Sequence, residues 1–196
     1  MSKAAELAKL IGDGTFGTGV AEDKKIVFDG NAQDYHIGLD DSTDSLTIGK
    51  GTALGTTPHI VSNASGHVTL PSTPGFCVVG SPSKDGNNDM HSYSTVKFNT
   101  GSHYNNSTGK FTVPIDGNYL VTGGVRIAGS NTYGTLFVML NGSDVIGGEA
   151  TIPGDYGVIT CSAVYPFEAG DLINLRCTVS ISGSTPRNYF SMFLLG

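Results

Sequence analysis

The chain has 196 residues, with 17 Asp and Glu against 11 Lys and Arg, 14% charged residues, 28 Gly and no Trp. That length admits one ordinary domain with an appendage or two small ones, and low charge with abundant glycine points to short strands joined by tight turns rather than to helices. The mild acidic balance lacks the basic stripe of a nucleic-acid binder and disfavours attraction to anionic lipid, and no apolar run is long enough to span a bilayer.

Taken in chain order, residues 1–12 come first. Ala4, Leu7, Ala8 and Ile11 fall at helical spacing and Gly12 supplies a stop, so the spacing predicts a short amphipathic helix over 2–11. A helix of about ten residues is marginal alone in water, so it needs a surface, from sister subunits or a larger particle; the other reading is a frayed tail. Glu6 and Lys9 interrupt the apolar positions, so this is not a signal peptide, and the expectation is assembly in a reducing cytoplasm. Cys77, Cys161 and Cys177 are odd in number and lack metal-ligand spacing, which fits free thiols acting as small hydrophobes.

Residues 13–72 carry short alternating runs at Lys25–Phe28, Tyr35–Leu39, Ser45–Ile48 and His67–Leu70. Turn-forming stretches at Asp29–Asn31, Asp40–Asp44 and Gly55–Pro58 separate them. An Ile-Gly pair recurs eleven residues apart, at Ile37-Gly38 and Ile48-Gly49. Large apolar side chains are sparse, and about sixty residues are marginal even with a full core. This piece is expected to be a slender, Gly-rich β stalk whose core comes from other copies of itself. Pro71 to Pro74 forms a linker.

Residues 73–196 are richer. Strands are predicted at Phe76–Val79, Tyr93–Asn99, Lys110–Val113, Asn118–Ile127, Thr135–Leu140, Gly157–Phe167, Asp171–Ser180 and Asn188–Leu195, with turns at Asp116-Gly117, Asn141-Gly142 and Glu168–Asp171. Many short strands at this spacing indicate an all-β sandwich or jelly roll. Thr135–Leu140 and Phe190–Leu195 do not alternate as strands with one wet face do. Their second apolar face needs a further cover, either an identical neighbour or loops of the same subunit. The expected trimer-interface residues are Phe137, Met139, Tyr119, Phe193 and Leu195.

The stretch from Phe98 to Leu120 holds an Asn-rich run leading to Tyr104, the pair Thr108-Gly109, then Phe111-Thr112-Val113-Pro114 and Gly117-Asn118-Tyr119. It resembles the globular head of complement subcomponent q, and Phe167–Ile173 and Phe190–Leu195 are similar to that family's hairpin and closing strand. The resemblance covers about residues 75–196. It implies a ten-stranded jelly roll, related to the tumour-necrosis-factor fold, that forms tight homotrimers. No collagen-type Gly-x-y repeat precedes it. Instead Asp23–Gly30 and Tyr35–Asp40 resemble N-terminal parts of tail-fibre-like proteins of marine bacteriophages. In the signature, Gly109 and Gly117 suit turns, Pro114 ends a strand, and Tyr104, Phe111 and Tyr119 are large core or inter-subunit fillers.

No nucleophile elbow, phosphate loop, zinc-protease helix or paired Cys-x-x-Cys motif occurs, so no catalytic residue, cofactor or metal site is assigned and the chain is not expected to be an enzyme. Asp40, Asp41 and Asp44 lack the spacing and closing Glu of a calcium loop and read as a solvated turn. Asp144, Glu149, Asp155 and Glu168 stay open as a glycosidase-like group only if they meet in space. His59 or His67, one per chain on a threefold stalk axis, offers a metal or anion site against the plainer reading of surface histidines. Loops carry recognition in sandwiches. The receptor-contact candidates are Asn88, with its neighbour Asn87, then His91, Tyr93, Asn131, Tyr133, Asp155, Tyr156, Arg187 and Tyr189.

The expectation is thus a homotrimeric virion protein of a phage: residues 1–12 as anchor to other virion proteins, a stalk over 13–72 and a head over 73–196 contacting a host-surface glycan or protein, with no nucleic-acid partner and no membrane insertion. The rivals are a capsid-attached fibre or decoration protein without a receptor, a free lectin-like module, and a polysaccharide-cleaving tip.

Overall fold

The computed structural model describes residues 16–128, 132–152, 157–183 and 187–196. They form seventeen strands, and no helix occurs among the described residues. The expected helix with Ala4, Leu7, Ala8 and Ile11 lies outside them. The chain divides into two compact units, Met1–Ser72 and Thr73–Gly196.

In the first unit, β1 (Lys24–Phe28), β2 (Tyr35–Asp40), β3 (Ser45–Lys50), β4 (Pro58–Ser62) and β5 (Val68–Thr69) form one antiparallel meander in chain order. The acidic turn between β2 and β3 is closed by Asp40, whose carboxylate accepts from Ser42 N (3.1 Å) and Ser42 Oγ (2.6 Å). This is an Asx-type turn, as the residue types demand, except that Asp40 is buried rather than solvated. β4 begins where a turn was expected, because proline at the first residue of a strand loses no ladder bond that the sheet needs.

The burial of this sheet is inverted. His36, Asp40, Ser45 and Thr47 are buried, whereas Leu39, Leu46 and Ile48 are exposed. The chain itself covers the polar face: Lys50 N donates to Thr57 O (3.0 Å), and His36 Nδ1 lies 2.9 Å from Gly51 O. Gly49 leaves the room this requires, since a Cβ there would stand 2.6 Å from Thr57 O. Among the described residues of the unit, no apolar side chain is fully buried.

The second unit is a sandwich of two five-stranded antiparallel sheets. One is ordered β10 (Tyr104–Asn105), β11 (Lys110–Thr112), β16 (Leu172–Cys177), β13 (Thr132–Leu140), β14 (Ser143–Ile152). The other is ordered β15 (Val158–Phe167), β12 (Gly117–Arg126), β17 (Tyr189–Leu194), β6 (Gly75–Val79), β9 (Thr95–Thr100). A small hairpin, β7 (Ser83–Lys84) with β8 (Met90–His91), joins β6 to β9. The fold is thus an all-β jelly roll. The hairpin between β13 and β14 turns on Asn141 (φ 50) and Gly142 (φ 89), the left-handed pair that a two-residue connection requires. β14 escapes sequence reading because Gly147-Gly148 breaks its alternation.

Alternate residues of facing strands fill the core: Tyr119, Val121 and Val125 of β12 and Phe190 and Met192 of β17 meet Leu136, Val138, Ile173 and Leu175 of the other sheet. Phe76 is its hub, stacked on Tyr104 (ring centroids 4.1 Å) and edge-on to Phe190 (4.8 Å). The Asn-rich run clamps backbone: Asn99 exchanges two hydrogen bonds with Tyr104, and Asn106 two with Tyr93. Gly109 (φ 70) passes so close to β8 that a Cβ would meet Met90 O.

Two of the expected interface residues belong to the protomer interior. Tyr119 is fully buried in the core, with its hydroxyl donating to Ile115 O (2.9 Å). Met139 points away from the core but is buried under its own subunit. Neither leaves area for a neighbour.

Candidate functional site

The feature that most demands explanation in the second unit is the outward face of the sheet β15-β12-β17-β6-β9. Along β12, Tyr119 and Val121 point into the core, so Leu120 and Thr122 point out. Register then sets their neighbours. Leu120 lies between Val164 of β15 and Phe193 of β17, and Phe193 is followed by Gly75 of β6. Thr100 of β9 lies opposite Gly75, and Phe98, opposite Cys77 in the next row, reaches back so that its ring stands 5.1 Å from that of Phe193. Exposure is 56% for Val164, 37% for Leu120, 42% for Phe193 and, just beyond the end of β17, 60% for Leu195. Scattered exposed apolar residues mean nothing, but a contiguous row crossing three strands is a candidate interaction surface.

The face is graded. The next row along the strands is Ser162, Thr122, Ser191 and Cys77, and the one after it Thr160, Gly124, Tyr189 and Val79. The apolar rows lie at the end where the chain enters from Pro74 and where Gly196 leaves, since Leu194 N donates to Pro74 O and Asn118 N to Gly196 O. The polar rows lie toward the opposite end. Gly124 lets Tyr189 lie flat, because a Cβ there would meet the Tyr189 ring. Cys77 is half-buried, and burial pushes its thiol up while Lys97 opposes the shift.

Of the residues expected at an interface, Phe193 and Leu195 are on this face. Phe137 is half-buried on the outward side of the other sheet, with Gly147 beneath its ring. Leu120, Val164 and Phe98 were missed. Their strands alternate normally, and only the sheet order, which joins β15, β12, β17, β6 and β9 across large sequence separations, puts Leu120 and Val164 in one row with Phe193 and brings Phe98 beside it.

The receptor-contact candidates separate too. Tyr93 is buried in the core and presents no surface for a contact. Asn131, Asp155 and Tyr156 lie outside the described residues. Tyr133 at the start of β13, Arg187 and Tyr189 sit at the end of the sandwich opposite Pro74 and Gly196. Tyr133 is exposed, and a hydrogen bond from its hydroxyl to Glu149 raises its phenol above the ordinary range. Asn88 (φ 68) occupies the β7–β8 turn near the same end, its carbonyl accepting from Cys177 N (3.1 Å) and its side chain from Lys84 Nζ (3.3 Å). Asn87 precedes it in that turn. His91 is half-buried, its Nδ1 2.9 Å from Ser92 Oγ.

The remaining chemistry is sparse. Asp144 is at the β13–β14 hairpin, Glu149 lies farther along β14 and Glu168 is in the β15–β16 turn; Asp155 lies outside the described residues. Within one chain, no group of three or more His, Cys, Asp or Glu is placed to hold a metal among the described residues. His59 is exposed with its ring edge-on to Tyr35, and His67 is exposed beside β5. All three cysteines are free.

Comparison with known proteins bears on the second unit. The model of the C1q domain matches residues 76–195. Among solved structures, that of murine APRIL matches with a TM-score of 0.52 at 15% identity, over 63% of this chain and 99% of that one. At this identity the likeness is one of fold. No curated protein matches the chain significantly in sequence.

Proposed function

The chain belongs to the C1q domain family through residues 76–195, and from this premise we propose that it is a non-enzymatic, homotrimeric fibre or spike protein of a phage particle, whose head meets the host surface. The observation that carries the reading is the apolar row Val164–Leu120–Phe193 with Leu195, a surface that three identical copies bury around one axis. Its graded character supports a closed assembly: the apolar end supplies the area, and the Ser, Thr and Tyr rows can pair with their own copies without stranding charge. The resemblance of Asp23–Gly30 and Tyr35–Asp40 to phage fibre proteins supports the particle role.

Recognition is assigned to the end of the head away from Pro74 and Gly196, where Tyr133, Arg187 and Tyr189 are placed. Three copies of a weak contact gain avidity on a dense host surface. The test is particle-based. Antibodies to the head should decorate intact particles, and soluble chain added in excess should slow adsorption. Decoration without competition favours the decoration-protein reading, and absence of decoration removes the virion assignment.

A further inference from the structure

The first unit has an interaction surface of its own. Its cross-strand register aligns Ile26 with Ile37, Ile37 with Ile48, and Ile48 with Ile60. Four isoleucines thus form one ladder across β1, β2, β3 and β4. The eleven-residue recurrence at 37 and 48 is the period of this meander, and Ile26 extends it by one step. The row above pairs Phe28 with Tyr35, and the row below pairs Leu39 with Leu46. Residues two apart in a strand share a face, so all eight side chains lie on one side. Seven of them are 39–60% exposed and Ile37 is half-buried.

A sheet must bury one face against another layer to be stable. Here the covered face holds His36, Asp40, Ser45 and Thr47, and the apolar face is bare except where Phe16 borders a hollow with Ile26, Ile37, Leu39 and Leu46. From the exposures, the bare side chains present on the order of 600 Å² per chain, approaching the roughly 800 Å² per partner of a standard stable interface. The only charges on these rows are at corners: Lys24, ion-paired with Glu22, and Lys50. The cover is needed for the sheet itself to persist, so it must be present wherever the chain folds, in fixed ratio. Other copies of the chain meet that condition, and a uniform ladder of β-branched side chains about 4.8 Å apart interdigitates with its own image.

We infer that the N-terminal sheet is completed by identical sheets of neighbouring copies, packed ladder to ladder, so that the chain carries a second self-association surface independent of its C1q head. Only the number of copies rests on the head reading; the self-packing does not.

The test uses the full chain with two paired substitutions, Ile37→Lys with Ile48→Lys, and Leu120→Glu with Phe193→Glu, and their combination. Mass is read by light scattering over a dilution series, and amide exchange is followed in β2 and β3 and, as a folding control, in β12 and β17. The head pair is expected to stay above monomer mass with β2 and β3 protected, or to lose both together on dilution. The ladder pair should keep the head's mass and lose protection in β2 and β3 by about tenfold or more. The combination should be monomeric. A head pair that is monomeric at every concentration with β2 and β3 still protected overturns the inference and assigns the cover to the chain's own residues 1–15. Undiminished protection in the ladder pair overturns it as well. If the head pair leaves the mass unchanged while the ladder pair makes monomers, the inference stands and the head reading fails.

Discussion

Phe193→Glu in the isolated unit Thr73–Gly196 separates assembly from folding. Phe193 is 42% exposed in the protomer, and a phenylalanine side chain buries roughly 200 Å², so about 85 Å² is left for a partner. At about 25 cal/mol per Å², covering that area contributes about 2 kcal/mol per copy, or about 6 kcal/mol in a trimer. Losing it weakens the trimer by about four powers of ten, before the repulsion of three converging carboxylates is added. The protomer loses about 3 kcal/mol on the same basis, for the roughly 115 Å² of the residue already buried within it, the Phe98 ring contact at 5.1 Å included; that is about half the loss to the trimer. Light scattering across a dilution series, with a denaturant titration of the resulting monomer, reads both quantities. The expected result is a folded monomer. A variant that keeps the wild-type mass over the whole series refutes the assignment of this face.

Three further outcomes follow from the same geometry. Gly109→Ala combines a φ of 70 with a Cβ driven into Met90 O, and should cost about 2–4 kcal/mol of unfolding free energy in a denaturant titration, with β8 and β11 losing amide protection first. Tyr119→Phe removes the 2.9 Å bond to Ile115 O but keeps the ring in the core, so thermal unfolding should report a loss of about 1 kcal/mol with the oligomer mass unchanged. Thiol labelling should order the cysteines. Cys161 and Cys177 are buried, and burial pushes Cys161 up to about 11 and also raises Cys177, so closed access together with scarce thiolate should keep both unlabelled until the chain unfolds. Cys77, on the graded face, should label in the Phe193→Glu monomer and be protected in the wild-type assembly.

Much of the sandwich was legible because local rules and the global fold agree there. The Asn141-Gly142 hairpin, the strand ended by Pro114 and the aromatic residues of the signature are each dictated by turn chemistry or core volume. Legibility failed where a residue's role depends on a neighbour remote in sequence. Leu120 gains its meaning only beside Val164 and Phe193, and Met139 is covered by its own subunit. Tyr93 looked like a loop aromatic until Asn106 clamped its backbone and the core took its ring. In the first unit the strands could be read from alternation, but not which face would be bare, because burying His36, Asp40 and Thr47 runs against their polarity.

The account turns on self-association of the head, and the solution mass of Thr73–Gly196 by light scattering after size exclusion tests it most directly. The prediction is three times the mass of one chain, held on dilution, with Cys77 protected from labelling throughout. A folded unit with the mass of one chain, its Leu120, Val164 and Phe193 open to solvent, would contradict the account.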